Sequence, residues 1–240
     1  MDFIEAKQRK RKWKWFLLAA GLAIILLFAV FFVKDVLTIR RQILSGEYDL
    51  ERFGSEVSGK KGINFGAKKY NVVSSDDPFL GNPAAKVTIV EFGDFECPFC
   101  LRAFPIMRAL SQEYKEEARF IFRDFPLSDI HPFAQLSAQG GYCAHQQGKF
   151  WAYHDKLFQN QDKISREFLT TAANQSGLDM NEFSSCLESE AARQEVEDDY
   201  AAGLAAGAQG TPTWFLNGER VAGVIPEDVF RKIIDDLLDR

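Results

Sequence analysis

The sequence contains little cysteine and little histidine, and these shortages narrow the functions that are open to it. Its 240 residues include 4 cysteines and 3 histidines. Four cysteines are too few for a small domain held together by disulfides. Cys97 and Cys100 form a C-x-x-C pair, but there is no second C-x-x-C and no closely spaced pair of histidines. A zinc site is therefore not predicted, and we expect no metal and no cofactor.

Positive charge is scarce in most of the chain. The formal net charge is −5, residues 1–14 carry six Lys or Arg against two acids, and residues 15–33 carry no charge. Residues 34–240 therefore carry a net charge of −9. Nucleic-acid binding requires a basic surface, so we expect no nucleic-acid partner.

A long hydrophobic run of 19 residues without a charge covers residues 15–33. As a helix it would span roughly 28 Å at about 1.5 Å per residue, close to the ~30 Å hydrocarbon core of a bilayer. It lacks the small-residue cleavage pattern of a secretory signal peptide, so an uncleaved transmembrane anchor is favoured over a cleaved signal or a buried core helix.

The charges around this run predict its orientation. The basic residues before it indicate a cytoplasmic tail at residues 1–14, which places residues 34–240 outside the cytoplasm, as in a periplasm. Residues 34–75 are polar and contain five glycines. They predict a stalk that links the anchor to a folded domain at residues 76–240.

Hydrophobic patterning predicts an α/β order at the start of this domain. Residues 87–92 are mostly apolar and β-branched, which is typical of a buried strand. Residues 98–115 predict a helix and residues 120–122 a second strand, so the two strands should be parallel. We expect the regular structure to begin after the turn signal Gly81-Asn82-Pro83.

The second half of the domain is predicted to be helical first and then to return to strands. Residues 131–208 have a helical composition and interrupt the sheet. Residues 213–216 and 220–222 predict a hairpin closed by Asn217-Gly218, and Pro226 begins a last helix. The apolar face of that helix is expected to consist of Phe230, Ile233, Ile234 and Leu237.

The C-x-x-C pair lies between the first predicted strand and the helix that follows it. Unpaired N–H groups and the dipole at a helix N-terminus favour a thiolate on Cys97, the attacking species in disulfide exchange. Pro98 suits the first helical position. Cys100, one turn further on, can form a disulfide with Cys97. We expect Cys97 to be reachable by solvent and Cys100 to be shielded. A redox-active pair is favoured over a purely structural disulfide or two buried thiols.

Three segments together resemble the DsbA-like thiol–disulfide oxidoreductases of the thioredoxin superfamily. They are EFGDFECPFC around the cysteines, GTPT at residues 210–213 and QGKFW at residues 147–151. The resemblance covers about residues 70–240. It implies a thioredoxin-like sheet with a helical domain inserted at about residues 130–208, and a cis peptide bond between Thr211 and Pro212 beside the cysteines. It also implies that substrates contact Pro98, Phe99, Thr211 and Pro212.

Glu91 is the only charged residue in the 87–92 strand. A carboxyl group in a buried strand is destabilising unless it is paired or protonated. Glu91 therefore either points outward at the end of the strand or is a buried acid that moves protons during exchange. Its position matches that of the family's buried acid.

The remaining cysteines and the histidines receive structural interpretations. Cys143 and Cys186 lie in different predicted helices, and in an exported domain we expect a structural disulfide between them, with two separate buried thiols as the alternative. His131, His145 and His154 are expected at the surface or at helix ends, with His131 beginning a helix.

The main functional hypothesis is a membrane-anchored oxidase that forms disulfides in exported cysteine-containing proteins. The resemblance implies reoxidation by a membrane quinone-coupled partner. Phe99 stands where DsbA has a histidine that stabilises the thiolate, which predicts a less oxidising disulfide. Thr211 also occurs before the proline in reductases and isomerases of the superfamily. A reductase or isomerase, or a non-catalytic anchored binding module, therefore remains open. No dimerisation domain is evident, and we expect a monomer.

Overall fold

The computed structural model describes Lys34 and residues 68–240. The hydrophobic run at residues 15–33, interpreted as an anchor, and most of the expected stalk lie outside the described residues. Within the described part of the chain, no helix combines the length and the apolar composition needed to cross a bilayer.

A five-stranded mixed sheet forms the centre of the described domain, in the order β1-β3-β2-β4-β5. The two central strands, β2 and β3, are parallel, as the sequence predicts. The edge strand β1 is antiparallel to β3, and β4 is antiparallel to both β2 and β5. The strands are β1 Phe79–Gly81, β2 Val87–Gly93, β3 Ala118–Asp124, β4 Thr213–Leu216 and β5 Glu219–Ala222.

Strand β1 shows that the expected start of the regular structure is wrong. The sequence places it after the turn signal at residues 81–83, but Phe79, Leu80 and Gly81 already pair with β3. Three residues are too few to produce a period-2 pattern, so hydrophobic alternation cannot detect this strand.

Strand β2 is buried because both faces of the sheet are covered. Successive side chains of a strand point to opposite faces. Val87 and Ile89 pack in a core shared with the first and last helices of the domain, whereas Val90 and Phe92 pack on the other face. By the same alternation, Glu91 belongs to the face of Val87 and Ile89.

Helices cover the sheet and interrupt it between β3 and β4. Helix α1 follows β2, five helices and a 3-10 turn separate β3 from β4, and α7 ends the domain. The helices are α1 Pro98–Glu113, α2 Ala134–Gln146, α3 Phe150–Gln159, the 3-10 helix Gln161–Lys163, α4 Arg166–Gln175, α5 Met180–Leu187, α6 Glu190–Ala205 and α7 Glu227–Leu238.

The C-terminal hairpin and helix agree with the sequence prediction. Asn217 and Gly218 both have positive φ, 47° and 84°, as a tight two-residue hairpin turn requires. Helix α7 follows Pro226, and the four residues of its predicted apolar face are all buried: Phe230, Ile233, Ile234 and Leu237.

A disulfide between Cys143 in α2 and Cys186 in α5 crosses the helical insertion, with 5.7 Å between the two Cα atoms. The chain-entropy account of disulfides assigns about 3–4 kcal/mol to closing a loop of this length. The bridge therefore ties together helices that lie between two strands of one sheet.

The expected surface position of His154 is wrong, since its side chain is completely buried. It lies on α3 between Phe150 and Phe158. The centroid of its ring is 5.6 Å from that of Phe150 and 4.9 Å from that of Phe158. Burial lowers its pKa, although the Asp155 carboxylate opposes this effect. His154 fills an apolar position at helical spacing, so it is a neutral core residue.

Candidate active site

The active-site segment begins where β2 ends at Gly93. The Cys97 N–H donates to the carbonyl of Asp94 at 3.1 Å, and the carbonyl of Cys97 accepts from the Leu101 N–H at 3.1 Å. Cys97 is the N-cap of α1, and Pro98 occupies the first turn, as the sequence predicts. The first cysteine therefore lies where free N–H groups of the helix point outward.

The Asp94 carboxyl group fixes the loop before Cys97. It accepts hydrogen bonds from the N–H groups of Glu96 at 2.8 Å and Leu127 at 2.9 Å. The Nδ1 atom of His131 lies 2.7 Å from its Oδ2 atom. His131 thus faces the active-site loop and does not begin a helix, because α2 starts at Ala134. Sequence reasoning missed Asp94, although it stands directly after the buried strand.

A second restraint on this loop comes from the helical insertion. The side-chain amide of Gln161 donates to the carbonyls of both Phe95 and Cys97, each at 2.9 Å. Gln161 lies 64 residues from Cys97 in sequence, and no motif around it indicates this contact. The insertion therefore holds the backbone of the first cysteine directly.

The thiol of Cys97 faces the loop that contains the cis Thr211–Pro212 bond. Its Sγ donates to the Thr211 carbonyl at 3.3 Å. The structure thus brings Cys97, Cys100, Thr211 and Pro212 to one place. Phe99, between the cysteines, is 38% exposed, so this aromatic side chain borders the site on the solvent side.

The surroundings of Cys97 lower its pKa to about 6. The largest cause of the lowered pKa is the hydrogen bond with the Cys100 thiol, whereas burial raises the pKa. The Thr211 side chain and the N–H groups of Cys100 and Phe99 lower the pKa further. The Thr211 carbonyl favours the neutral thiol. The Thr211 hydroxyl is buried and has no hydrogen-bond partner among the described residues, so it is available to a thiolate.

Cys100 has the opposite electrostatic environment. It is completely buried, and burial raises the pKa of its thiol well above the usual value. The interaction with Cys97 and the charge of Glu91 raise it further. Near neutral pH, Cys97 is therefore the thiolate and Cys100 the thiol.

The expected solvent exposure of Cys97 is wrong. Its exposed fraction is 3%, against 0% for Cys100. The helix end by itself would leave the thiol open, but the Thr211–Pro212 loop and the insertion cover it. The two cysteines consequently differ in ionisation and very little in exposure.

Glu91 is buried, with 3% of its surface exposed, which excludes the interpretation that it points outward. Burial, and then the charge of Cys97, raise the pKa of its carboxyl group to about 8. Its charge in turn raises the pKa of Cys100. Glu91 is therefore a proton-carrying group near neutral pH that interacts with both thiols.

Comparison with known proteins agrees with this geometry. A profile of the thioredoxin family matches residues 74–236. The chain belongs to this family. Its structure is similar to the crystal structure of a thioredoxin-like oxidoreductase from Silicibacter pomeroyi DSS-3, with a TM-score of 0.62 and 25% identity over 70% of this chain and 95% of that one.

Two further solved structures share the fold at lower sequence identity. The thiol-disulfide exchange protein alpha-DsbA2 from Wolbachia pipientis has a TM-score of 0.63 and 21% identity over 68% of this chain and 88% of that one. BdbD from Bacillus subtilis has a TM-score of 0.61 and 22% identity over 72% of this chain and 97% of that one. The resemblance inferred from the three sequence segments is confirmed at the level of the thioredoxin family and its fold.

The sequence is also similar to part of a set of antiporters. It is 37% identical to Na(+)/H(+) antiporter NhaA 3 of Salinispora tropica over 147 residues, which are 61% of this chain and 22% of the antiporter. The NhaA antiporter of Herminiimonas arsenicoxydans matches at 35% over 147 residues. The chain spans about a fifth of the length of these relatives.

The lowered pKa of Cys97 leads to a test on the reduced protein. Alkylation by iodoacetamide requires the thiolate, so the rate should be low below pH 6, rise through a midpoint near pH 6 and then level off. In Cys100→Ala the midpoint should move to higher pH, because the largest stabilising contact of the thiolate is lost. Mass spectrometry after limited alkylation should locate the first label on Cys97. A midpoint at or above the ~8.5 of a free thiol would contradict this electrostatic account.

Proposed function

We propose that this protein is an extracytoplasmic thiol–disulfide oxidoreductase that introduces disulfides into exported cysteine-containing proteins. The observation that carries the proposal is the opposed ionisation of its two active-site cysteines. The pKa of Cys97 is lowered to about 6, while that of Cys100 is raised well above its usual value. A stabilised thiolate is a good leaving group in disulfide exchange, so Cys97 is suited to form and release mixed disulfides.

The proposed reaction has two exchange steps. A thiolate of the reduced substrate attacks the Sγ atom of Cys97 in the Cys97–Cys100 disulfide, the protein disulfide breaks, and Cys100 leaves and takes up a proton. A second substrate thiolate then attacks the substrate sulfur of the mixed disulfide and expels Cys97 as a thiolate. The substrate gains a disulfide, and the protein holds two electrons as a dithiol. A membrane quinone-coupled partner would remove these electrons.

Glu91 fits the role of proton donor in the first of these steps. In the dithiol form its carboxyl group has a pKa of about 8, and burial, the larger cause, acts in the disulfide form as well, so burial favours a protonated carboxyl group there too. The leaving Cys100 is fully buried, where an uncompensated thiolate would be destabilised. A proton from Glu91 removes that charge as it develops. In the reverse direction, the Glu91 carboxylate would accept the proton of Cys100.

The direction of electron flow follows from the stability of the reduced form. A lower thiolate pKa stabilises the dithiol and makes the disulfide more oxidising. The pKa of about 6 for Cys97 lies between the values of about 3.5 for DsbA and about 7 for thioredoxin. We therefore propose a moderately oxidising pair, with a reduction potential between about −270 and −120 mV. A measured potential near the lower value would favour the reductase alternative.

Substrate contacts are proposed for the residues around Cys97. Pro98 and Phe99 form the exposed part of the C-x-x-C turn, and Phe99 offers an apolar surface to a polypeptide. The carbonyl of Thr211, the residue before Pro212, lies 3.3 Å from the Cys97 sulfur. A substrate cysteine that approaches Cys97 would therefore come close to both segments.

The function can be tested by trapping substrates. In Cys100→Ala the resolving thiol is absent, so mixed disulfides between Cys97 and exported proteins should accumulate and be visible as reducible adducts on non-reducing gels. Cys97→Ala should give no adducts, since the thiol of Cys100 is not ionised near neutral pH. The absence of adducts in Cys100→Ala, together with an inert disulfide in the wild type, would favour a non-catalytic binding module.

The proposed role of Glu91 predicts a pH-dependent defect in Glu91→Gln. At pH 7 the variant should be reduced by dithiothreitol at least about 100-fold more slowly than the wild type, because proton donation to the leaving thiolate is lost. The difference should shrink above pH 8, where wild-type Glu91 is itself deprotonated. Stopped-flow fluorescence between pH 6 and 9 measures both rates. A uniform defect at every pH would indicate a structural role.

We also propose the domain organisation that the sequence indicates. Residues 1–14 would form a cytoplasmic tail, residues 15–33 a transmembrane anchor, residues 34–75 a stalk and residues 76–240 the catalytic domain. The end of the stalk at residue 75 is placed too late, because Tyr70 and Val72 already pack against the core of the catalytic domain. The charge-free run of 19 residues at positions 15–33 supports the anchor. A monomer with this organisation would act at the outer surface of the membrane.

The anchor predicts that the mature protein stays in the membrane fraction after extraction with alkaline carbonate. N-terminal sequencing of that material should find residues 1–14 still attached, and a protease added from outside should cleave the catalytic domain. A variant with two lysines in place of Ile24 and Ile25 should be released, because charges at the centre of a bilayer are unfavourable. A wild-type N-terminus that begins beyond residue 33 would reject the anchor.

A further inference from the structure

A group of carboxylic acids gathers beside Arg123, away from the thiols. Asp77 precedes β1, Asp124 ends β3, and Glu195 and Asp199 lie one turn apart on α6. Asp77, Asp124 and Asp199 are each less than 10% exposed, and Glu195 is partly buried. Nothing in the thiol–disulfide chemistry uses these groups, so their burial requires a separate explanation.

Arg123 forms ion pairs with only some of these carboxyl groups. Its Nε donates to Oδ1 of Asp199 at 2.8 Å and lies 3.3 Å from Oδ2 of Asp77, and its NH1 group donates to the carbonyl of Val72 at 3.0 Å. Oδ2 of Asp199 accepts the N–H of Asp124 at 2.8 Å. The guanidinium thus contacts two of the four carboxyl groups, those of Asp77 and Asp199.

Three of these carboxyl groups are close enough to one another to bind one cation together. Asp77, Glu195 and Asp199 each present a carboxylate oxygen, and the three oxygens lie within 4.8 Å of one another. Two oxygens bound to the same cation at about 2.4 Å are at most about 4.8 Å apart. In addition, Oδ1 of Asp77 is buried and has no hydrogen-bond partner among the described residues. A 2% exposed aspartate with a free oxygen is an available ligand.

We propose that Asp77, Glu195 and Asp199 form a binding site for a calcium ion. The donors are all oxygens, which selects hard cations over zinc or copper. Ca²⁺ accepts an irregular set of six to eight oxygens, whereas Mg²⁺ requires a nearly octahedral set at about 2.0–2.1 Å. Arg123 repels the ion, so the affinity belongs to the range of about 10⁻⁴–10⁻³ M that is typical of extracellular calcium modules.

The ion would join three parts of the domain that are distant in sequence. Asp77 belongs to the segment before β1, and Glu195 and Asp199 belong to the helical insertion. Next to them, Asp124 pairs with Gly93 at the end of β2, and the Phe125 N–H donates to the Gly93 carbonyl at 2.8 Å. The calcium site therefore restrains the strand ends from which the active-site loop departs.

Isothermal titration calorimetry and thermal unfolding of the full-length protein at pH 7.5, after treatment with EDTA, test the site. One Ca²⁺ should bind per chain, and calcium at ten times the dissociation constant should raise the melting temperature by about 3–6 °C. The same excess of Mg²⁺ should have less than half of this effect. Glu195→Gln keeps the shape of the side chain and should weaken calcium binding by about tenfold or more, because one ligand charge is lost.

Glu190→Gln is the matched control, since Glu190 is exposed on the same helix and its replacement should leave calcium binding unchanged. If Glu195→Gln is unfolded without calcium, as judged by circular dichroism, Asp77→Asn provides the same comparison. No calcium response of the wild type at about 10 mM, an equal response to Mg²⁺, or equal responses in Glu195→Gln and Glu190→Gln would each overturn the proposal. Thiol reactivity does not enter these readouts, so the outcome is independent of the proposed function.

Discussion

A thiolate at Cys97 can persist only if hydrogen-bond donors replace the water that burial removes. The sulfur is almost inaccessible to solvent, and burial alone would raise its pKa. The thiol of Cys100, the N–H groups at the start of α1 and the side chain of Thr211 outweigh this effect. Each donor occupies its place because a strand end, a helix end and the Thr211–Pro212 loop converge there. The geometry of the sheet therefore determines the chemistry of the first cysteine.

The helical insertion contributes to the site although its helices contain neither active-site cysteine. Gln161 holds the carbonyl of Cys97, and Asp94 connects the loop before Cys97 to His131 ahead of α2. The Glu96 carboxylate accepts the N–H of Phe133 at 2.6 Å, at the N-terminus of α2. A movement of the insertion relative to the sheet would consequently displace the backbone of the C-x-x-C turn. The family's inserted domain thus has a direct mechanical link to the thiolate.

Sequence patterns were reliable where one local rule decided the outcome. Asn217-Gly218 specifies a tight hairpin because both residues adopt positive φ with little strain. The spacing of the apolar residues in α7 identified its buried face without error. Sequence patterns failed for β1, which has only three residues. They also failed for His154, where tertiary packing overrides the ordinary preference of histidine for the surface. Neither position carries a local signal that differs from the alternatives.

Local sequence is sufficient to predict the βαβ order, the hairpin and the location of Cys97 at the start of a helix, because each depends on residues within a few positions of one another. The burial of Cys97 and Glu91 and the contact of Gln161 with the active-site backbone follow from the folded domain alone. Gln161 and Thr211 contact Cys97 although they lie 64 and 114 residues away from it in sequence. Solvent exclusion and charge interaction depend on distance in space, and a local pattern contains no information about which distant segment will supply the partner.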